Sequence, residues 1–190
     1  MARRLAPGSP LPQGSSPLQG RGLTLSLGAA TPILHLEGLR RTNAALADHG
    51  PIARLPAPGR CAAHEDGVIL SIGPQRYLCV GELSSSAALQ HLFEAALDLS
   101  SAWVRFAIEG QNAVALLRKG CAVDLHPRQF PAGSCAATGF ARLRSVLWRV
   151  DRLPRYDLLV ARSHALSLWE FLSDAAAEFG CVAHNSKGAE

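Results

Sequence analysis

The sequence predicts an α+β fold: an antiparallel or mixed sheet with helices on one face. Three observations carry that expectation. Segments with strand period and segments with helix period follow one another as β-β-α-β-α-β-β-α, without the even spacing of βαβ units. The sequence holds no G-x-G-x-x-G, no P-loop and no internal repeat. It closes on an amphipathic helix at 163–179. There Ala165, Leu168, Trp169, Leu172, Ala176 and Phe179 recur at helical spacing, opposite Ser163, Ser167, Glu170, Asp174 and Glu178.

The elements follow in order. Residues 1–22 are rich in Pro, Gly and Ser, and are expected to be a disordered tail. In 23–60, Leu23, Leu25 and Leu27 alternate, but Pro32, Pro51, Pro56 and Pro58 interrupt any long element. This stretch reads as an irregular, extended surface segment. Residues 61–181 read as a single domain, and 182–190 as a frayed tail. Strands are predicted at 68–72 and 77–80, on either side of a Gly73-Pro74 turn. The stripe Ala88, Leu89, Leu92, Phe93 and Ala96, with serines at 84–86 as caps, predicts a helix over 84–98. Val104, Phe106 and Ile108 alternate with Trp103, Arg105 and Ala107, a strand. A short helix carries Ala113, Leu116 and Leu117 and stops at Gly120. Residues 121–136 show little pattern. A long strand over 138–150 and another over 156–161 lead to the closing helix.

Composition sets bounds. A chain of 190 residues, 48% hydrophobic, suits one domain with a real core. No window of 18 apolar residues occurs, so no membrane-spanning helix is expected. The net charge of +4 owes +3 to Arg3, Arg4 and Arg21 in the first 22 residues, which discounts nucleic acid as a partner. Five cysteines make an odd set without C-x-x-C, and Pro7, Pro10 and Pro12 fall where a signal peptide needs an apolar run. The expectation is a cytoplasmic chain with reduced thiols.

The densest cluster of chemical groups is Gly120-Cys121-Ala122-Val123-Asp124-Leu125-His126-Pro127. One reading has Asp124 orient a catalytic His126, with Cys121 or Cys135 as nucleophile. The plainer reading, which we favour, is a loop lock: an Asp side chain capping nearby backbone N–H groups, with His-Pro fixing an extended exit. A metal reading would gather Cys121, His126 and Cys135, with Cys61 or His64 as fourth ligand; only Cys61-x-x-His64 has ligand-pair spacing. Trp148 and Trp169 read as core, whereas Trp103 shares a strand face with Arg105 and is a better interface residue. Phe171 lies at the rim of the last helix, a candidate partner contact. Arg142 and Arg144 share one side of a strand; they could clamp a carboxylate or phosphate, but such a pair is more often a solvated face or an interchain salt bridge. No catalytic, cofactor-binding or metal site is expected, which points to a binding or structural chain.

Specific residues carry a resemblance. The run Leu117-Arg118-Lys119-Gly120-Cys121-Ala122-Val123-Asp124-Leu125-His126-Pro127, then Phe130, Gly133, Cys135-Ala136 and Thr138, resembles the gamma subunit family of heterotetrameric sarcosine oxidase. So do Ala141-Arg142, Leu147-Trp148, Gly73-Pro74 before Tyr77-Leu78, and Ser163, Ala165, Leu168-Trp169, Leu172, Asp174-Ala175 and Glu178. The resemblance covers roughly 65–180, and K-G-C-x-x-D-L-H-P is its most specific part. Ala137 stands where the family usually has Gln, and His164 where it has an aromatic.

The resemblance implies a fold like the N-terminal folate-binding domain of aminomethyltransferases. It implies an alpha-beta-gamma-delta complex that oxidises sarcosine to glycine. Such a complex gives formaldehyde or 5,10-methylenetetrahydrofolate, together with hydrogen peroxide. FAD, FMN, NAD, zinc and tetrahydrofolate would sit in other subunits, and none in this chain. The chain would be a non-catalytic assembly subunit docked chiefly on alpha, with Trp103, Arg105, Asp124, His126 and Phe171 as interface or loop-locking residues. The alternative expectation is a stand-alone folate-binding methyl or aminomethyl transferase, or an iron–sulfur assembly factor, of the related fold.

Overall fold

The computed structural model describes residues 8–13, 15–39, 55–85 and 90–181. They form two antiparallel sheets, two α-helices described from end to end, a helical end at residues 90–91 and short 3-10 turns. The first sheet runs β1 (Leu18–Gly20), β2 (Leu23–Leu27), β8 (Trp103–Glu109), β11 (Arg155–Ala161), β10 (Leu143–Arg149), β9 (Ser134–Phe140) in spatial order. The second runs β4 (Cys61–His64), β5 (Gly67–Gly73), β6 (Arg76–Gly81), β3 (Ile33–Leu39), β7 (Phe93–Asp98). The helices are α1 (Ala113–Leu117) and α2 (Ala165–Ala176).

Strand alternation divides the side chains between layers. From β8, Val104, Phe106 and Ile108 face the helices and pack with Leu168, Trp169 and Leu172 of α2. The rings of Phe106 and Trp169 stack with centroids 5.9 Å apart. On the opposite face of the first sheet, Val146, Trp148 and Leu159 meet Ile33, Val68, Leu70, Leu78 and Val80 of the second. The outer face of the second sheet carries a third cluster, including Leu34, Leu36, Ile69, Cys79 and Phe93. The first sheet is therefore covered on both sides, by helices and by a sheet.

The α+β class holds, and so do the strands near 68–72, 77–80, 103–108 and 156–161 and both later helices. The closing helix ends in a 3-10 turn at Ala177–Phe179, and Gly180 follows with φ of +75°. Five expectations are corrected. The strands divide into two sheets rather than one. The segment around 18–39, read as a disordered tail and a surface segment, supplies three strands. Leu25 of β2 pairs with Ile108 of β8, and Leu18, Leu23 and Leu25 are buried in the helix-side core. The interrupting prolines misled because Pro32 falls just before β3, and Pro56 and Pro58 lie before β4 rather than inside a strand. Residues 1–7, 14, 40–54 and 182–190, also part of those expectations, lie outside the described residues.

The helix expected over 84–98 is not formed by its second half. Residues 93–98 are the edge strand β7, paired with β3 through His35 and Leu97. Its side chains beyond Phe93 are exposed, so pairing of the backbone overrides an Ala-rich, helix-favouring sequence. Residues 86–89 lie outside the described residues.

The long strand over 138–150 is a hairpin. It turns at Ala141 and Arg142, whose φ angles are +48° and +65°, the pattern of a type I′ turn without its usual Asn-Gly. The N–H of Ala141 donates to the carbonyl of Gly120 at 2.8 Å. Gly120 has no alternative there, since a Cβ would sit 2.5 Å from the Phe140 ring. Arg142 is thus a turn residue, and it does not share a strand side with Arg144.

The burial of β2 gives a direct test. Leu25 is 1% exposed, so Leu25→Ala is expected to cost about 2–5 kcal/mol in thermal unfolding. A surface segment would lose under about 0.5 kcal/mol.

Candidate functional site

Two places gather chemical groups. The first is the loop after α1. Asp124 Oδ1 accepts the His126 N–H at 2.9 Å, and His126 Nδ1 accepts the Arg128 N–H at 3.2 Å. The His126 carbonyl accepts the N–H groups of Gln129 and Phe130 at 2.8 and 2.9 Å. Leu125 and Phe130 plug the loop into the helix-side core, where Phe130 lies 6.4 Å from the Tyr156 ring. The side chains of Asp124 and His126 themselves are at the exposed surface. This is an Asx-turn geometry, in which a carboxylate fixes its own backbone.

The structure does not bring Cys121, His126 and Cys135 together, although Cys61 lies near enough to Cys135 to raise its thiol further. Cys121 packs against the helix-side core. Cys135 lies on the other face of the sheet, with its Sγ donating to the carbonyls of Arg60 and Ser71 at 3.1 and 3.3 Å. Burial pushes the Cys135 thiol up to about 12 and that of Cys61 to about 11. Burial raises the Cys121 thiol as well. Thiols so raised hold little thiolate, the nucleophilic and metal-binding form. No three His, Cys, Asp or Glu side chains converge with metal-binding geometry among the described residues.

The other sequence candidates fall as follows. Phe171 is half-buried, its ring edge-on to Phe140 at 5.8 Å. Trp148 and Trp169 are buried. Trp103 packs partly against the core between the sheets. Arg105, on the same strand face, lines a cleft between the sheets.

That cleft is the second place, and sequence reasoning missed it. It holds about 510 Å³ and is lined by residues of both sheets. Its lining includes polar groups from three strands: His64 of β4, Arg105 of β8 and Asp157 of β11. Asp157 is 6% exposed. Its Oδ1 lies 3.8 Å from Arg105 Nε, and its Oδ2 lies 3.9 Å from Arg155 Nε. Both separations exceed a hydrogen bond. Arg155 is shared with Glu109, at 3.3 Å. Burial raises the Asp157 carboxyl above its ordinary 3.8, and the positive charges of Arg105 and then Arg155 pull it back in part. The available signal was a lone Asp inside the apolar run of β11.

Comparison with known proteins follows from this geometry. Residues 60–178 match the sarcosine oxidase, gamma subunit family. The chain is 31% identical over 173 residues to the sarcosine oxidase subunit gamma of Corynebacterium sp. (strain U-96), covering 85% of this chain and 83% of that one. A second such subunit, from Corynebacterium sp. (strain P-1), is 32% identical over 121 residues, covering 60% and 59%. Among solved structures, the chain is similar to one in the heterotetrameric sarcosine oxidase from Corynebacterium sp. U-96 in complex with pyrrole 2-carboxylate. There the TM-score is 0.73 at 30% identity, covering 86% of this chain and 88% of that one. It also shares a fold with the glycine cleavage system aminomethyltransferase T of Bartonella henselae. That likeness has a TM-score of 0.58 at 16% identity, over 80% of this chain and 46% of that one.

The buried carboxylate has a pH signature. Its folded pKa is raised, so between the unfolded value near 3.8 and the folded value the native state holds more protons than the unfolded state. Stability must then fall as pH rises through that window. Asp157→Asn is expected to remove this slope from a series of unfolding curves. An unchanged slope in the variant would show that Asp157 is not desolvated.

Proposed function

Because the chain belongs to the sarcosine oxidase gamma subunit family, we propose that it serves as a non-catalytic assembly subunit of a four-chain sarcosine oxidase. Its partners are the alpha, beta and delta chains, and alpha provides the principal dock. The complex oxidises sarcosine to glycine in the cytoplasm, yields formaldehyde or 5,10-methylenetetrahydrofolate, and makes hydrogen peroxide. FAD, FMN, NAD, zinc and tetrahydrofolate reside in the other chains.

The observation that carries this reading is the family match over residues 60–178. The surface supports it. The strand β7 lies at the edge of its sheet and has five consecutive exposed residues, with Leu97 at 57% exposure. Such an edge invites pairing or burial. An obligate interface of about 2,000 Å² or more would cover it. In this reading, the Asp124–His126 turn holds the loop rigid where it meets alpha, and Trp103, Arg105 and Phe171 belong to surfaces near the dock. The five cysteines are free thiols, in keeping with a reducing compartment.

Separate expression is expected to give aggregated chain, and co-expression with the other three chains a soluble complex. A monodisperse monomer from separate expression would overturn the obligate interface. Asp124→Ala removes one capping hydrogen bond, worth about 1 kcal/mol, and should weaken assembly roughly fivefold. Flavin spectra and turnover per assembled complex should stay unchanged. A matching loss of turnover in intact complex would give the loop a role in the chemistry.

A further inference from the structure

One edge of the first sheet is open over a short, bounded length. Strand β9 is the last strand of that sheet, and it pairs with β10 from Ser134 to Phe140 without a bulge. Its outward hydrogen bonds are made at the two ends. The N–H of Cys135 donates to the Gly59 carbonyl at 2.9 Å, and the N–H of Ala141 donates to the Gly120 carbonyl at 2.8 Å. Backbone groups of an antiparallel strand turn outward at every second residue. Those of Ala137 and Gly139 therefore face away from β10 as well. The Thr138 hydroxyl lies 3.4 Å from the Gly139 carbonyl. Otherwise the outward groups of these two residues have no partner among the described residues.

The side chains leave this gap accessible. Edge strands are commonly blunted by charge, proline or a bulge, but here the run is Ala136, Ala137, Thr138, Gly139. Ala137 and Gly139 are exposed, and a Cβ at Gly139 would have nothing within 4 Å.

The charge beside the gap has one sign. Arg144 of β10 sits directly across from Gly139. Alternation places it on the face that buries Val146 and Trp148, yet it is exposed. Arg142 is exposed at the tip of the same hairpin. Neither guanidinium has an ion pair or hydrogen bond among the described residues. With no side chain on Gly139 in the way, Arg144 can extend across β9 toward a strand laid outside it, two strand spacings or about 10 Å from β10. A carboxylate on that strand would meet a guanidinium suited to bind it with two hydrogen bonds.

We infer that an extended, acidic segment of a neighbouring chain, about five residues long, adds to the first sheet along β9. Its backbone pairs with Ala137 and Gly139, and an Asp or Glu on it pairs with Arg144. The free edge between Cys135 and Ala141 sets the length. This inference rests on the assembly reading above.

The co-expressed complex provides the test. Ala137→Pro removes an outward N–H and leaves the ladder to β10 in place, and it is expected to weaken assembly about tenfold or more. Arg142→Ala with Arg144→Ala changes only exposed side chains, and is expected to weaken assembly and flatten its dependence on salt. Hydrogen exchange in the wild-type complex decides the pairing even where Ala137→Pro does not fold. There the amides of Ala137 and Gly139 are expected to exchange about a hundredfold more slowly than open amides. Unchanged assembly of Ala137→Pro, or fast exchange at both amides in the intact complex, overturns the inference and leaves the assembly reading standing. Slow exchange with unchanged salt dependence in the arginine variant overturns the acidic character of the segment. A wild-type chain that forms no complex with the others sinks the assembly reading, and the added strand with it.

Discussion

The structure depends on a sheet that is covered on both faces. Helix α2 shields one side of the first sheet and the second sheet shields the other, so β8, β10 and β11 must be apolar on both. Tyr156, Leu158 and Val160 point to the helices and Leu159 to the neighbouring sheet. Asp157 interrupts that run. Its carboxylate sits where a charge is costly, and the guanidinium of Arg105 is what the fold sets against it. The double cover also makes the amino-terminal strands necessary. Without Leu18, Leu23 and Leu25, the helix-side core would end at β8 with its apolar edge in water.

How much of this is legible in the sequence depends on whether the signal is local. The closing helix announces itself because Leu168, Trp169 and Leu172 need only their own spacing. The loop at 121–130 is equally local, and its Asp124 and His126 bonds are of the turn-capping kind that its sequence implies. The hairpin at Ala141 and Arg142 is not legible. Neither residue favours a left-handed conformation, and what holds the turn is the distant carbonyl of Gly120. Strand β7 is hidden in the same way, since Phe93–Asp98 has helical composition and becomes extended only against β3. The cleft is the extreme case. His64, Arg105 and Asp157 lie on strands far apart in the chain, and no spacing rule connects them.

The fold also bears on what the chain does. It shares its architecture with an aminomethyltransferase but spans 46% of that chain. The exposed edge β7 and the apolar Leu97 and Leu153, 57% and 64% exposed, are surfaces of the sort that companion chains cover. The buried thiols, raised by desolvation, and the exposed Asp124–His126 turn offer no activated nucleophile.

Native mass spectrometry of the co-purified material tests that account most directly. It predicts a particle with one copy each of four different chains, in which this one is present and flavin stays with the others when the particle is dissociated. The chain released from that particle as a species that carries flavin, or that oxidises a methylated amine alone, would contradict it.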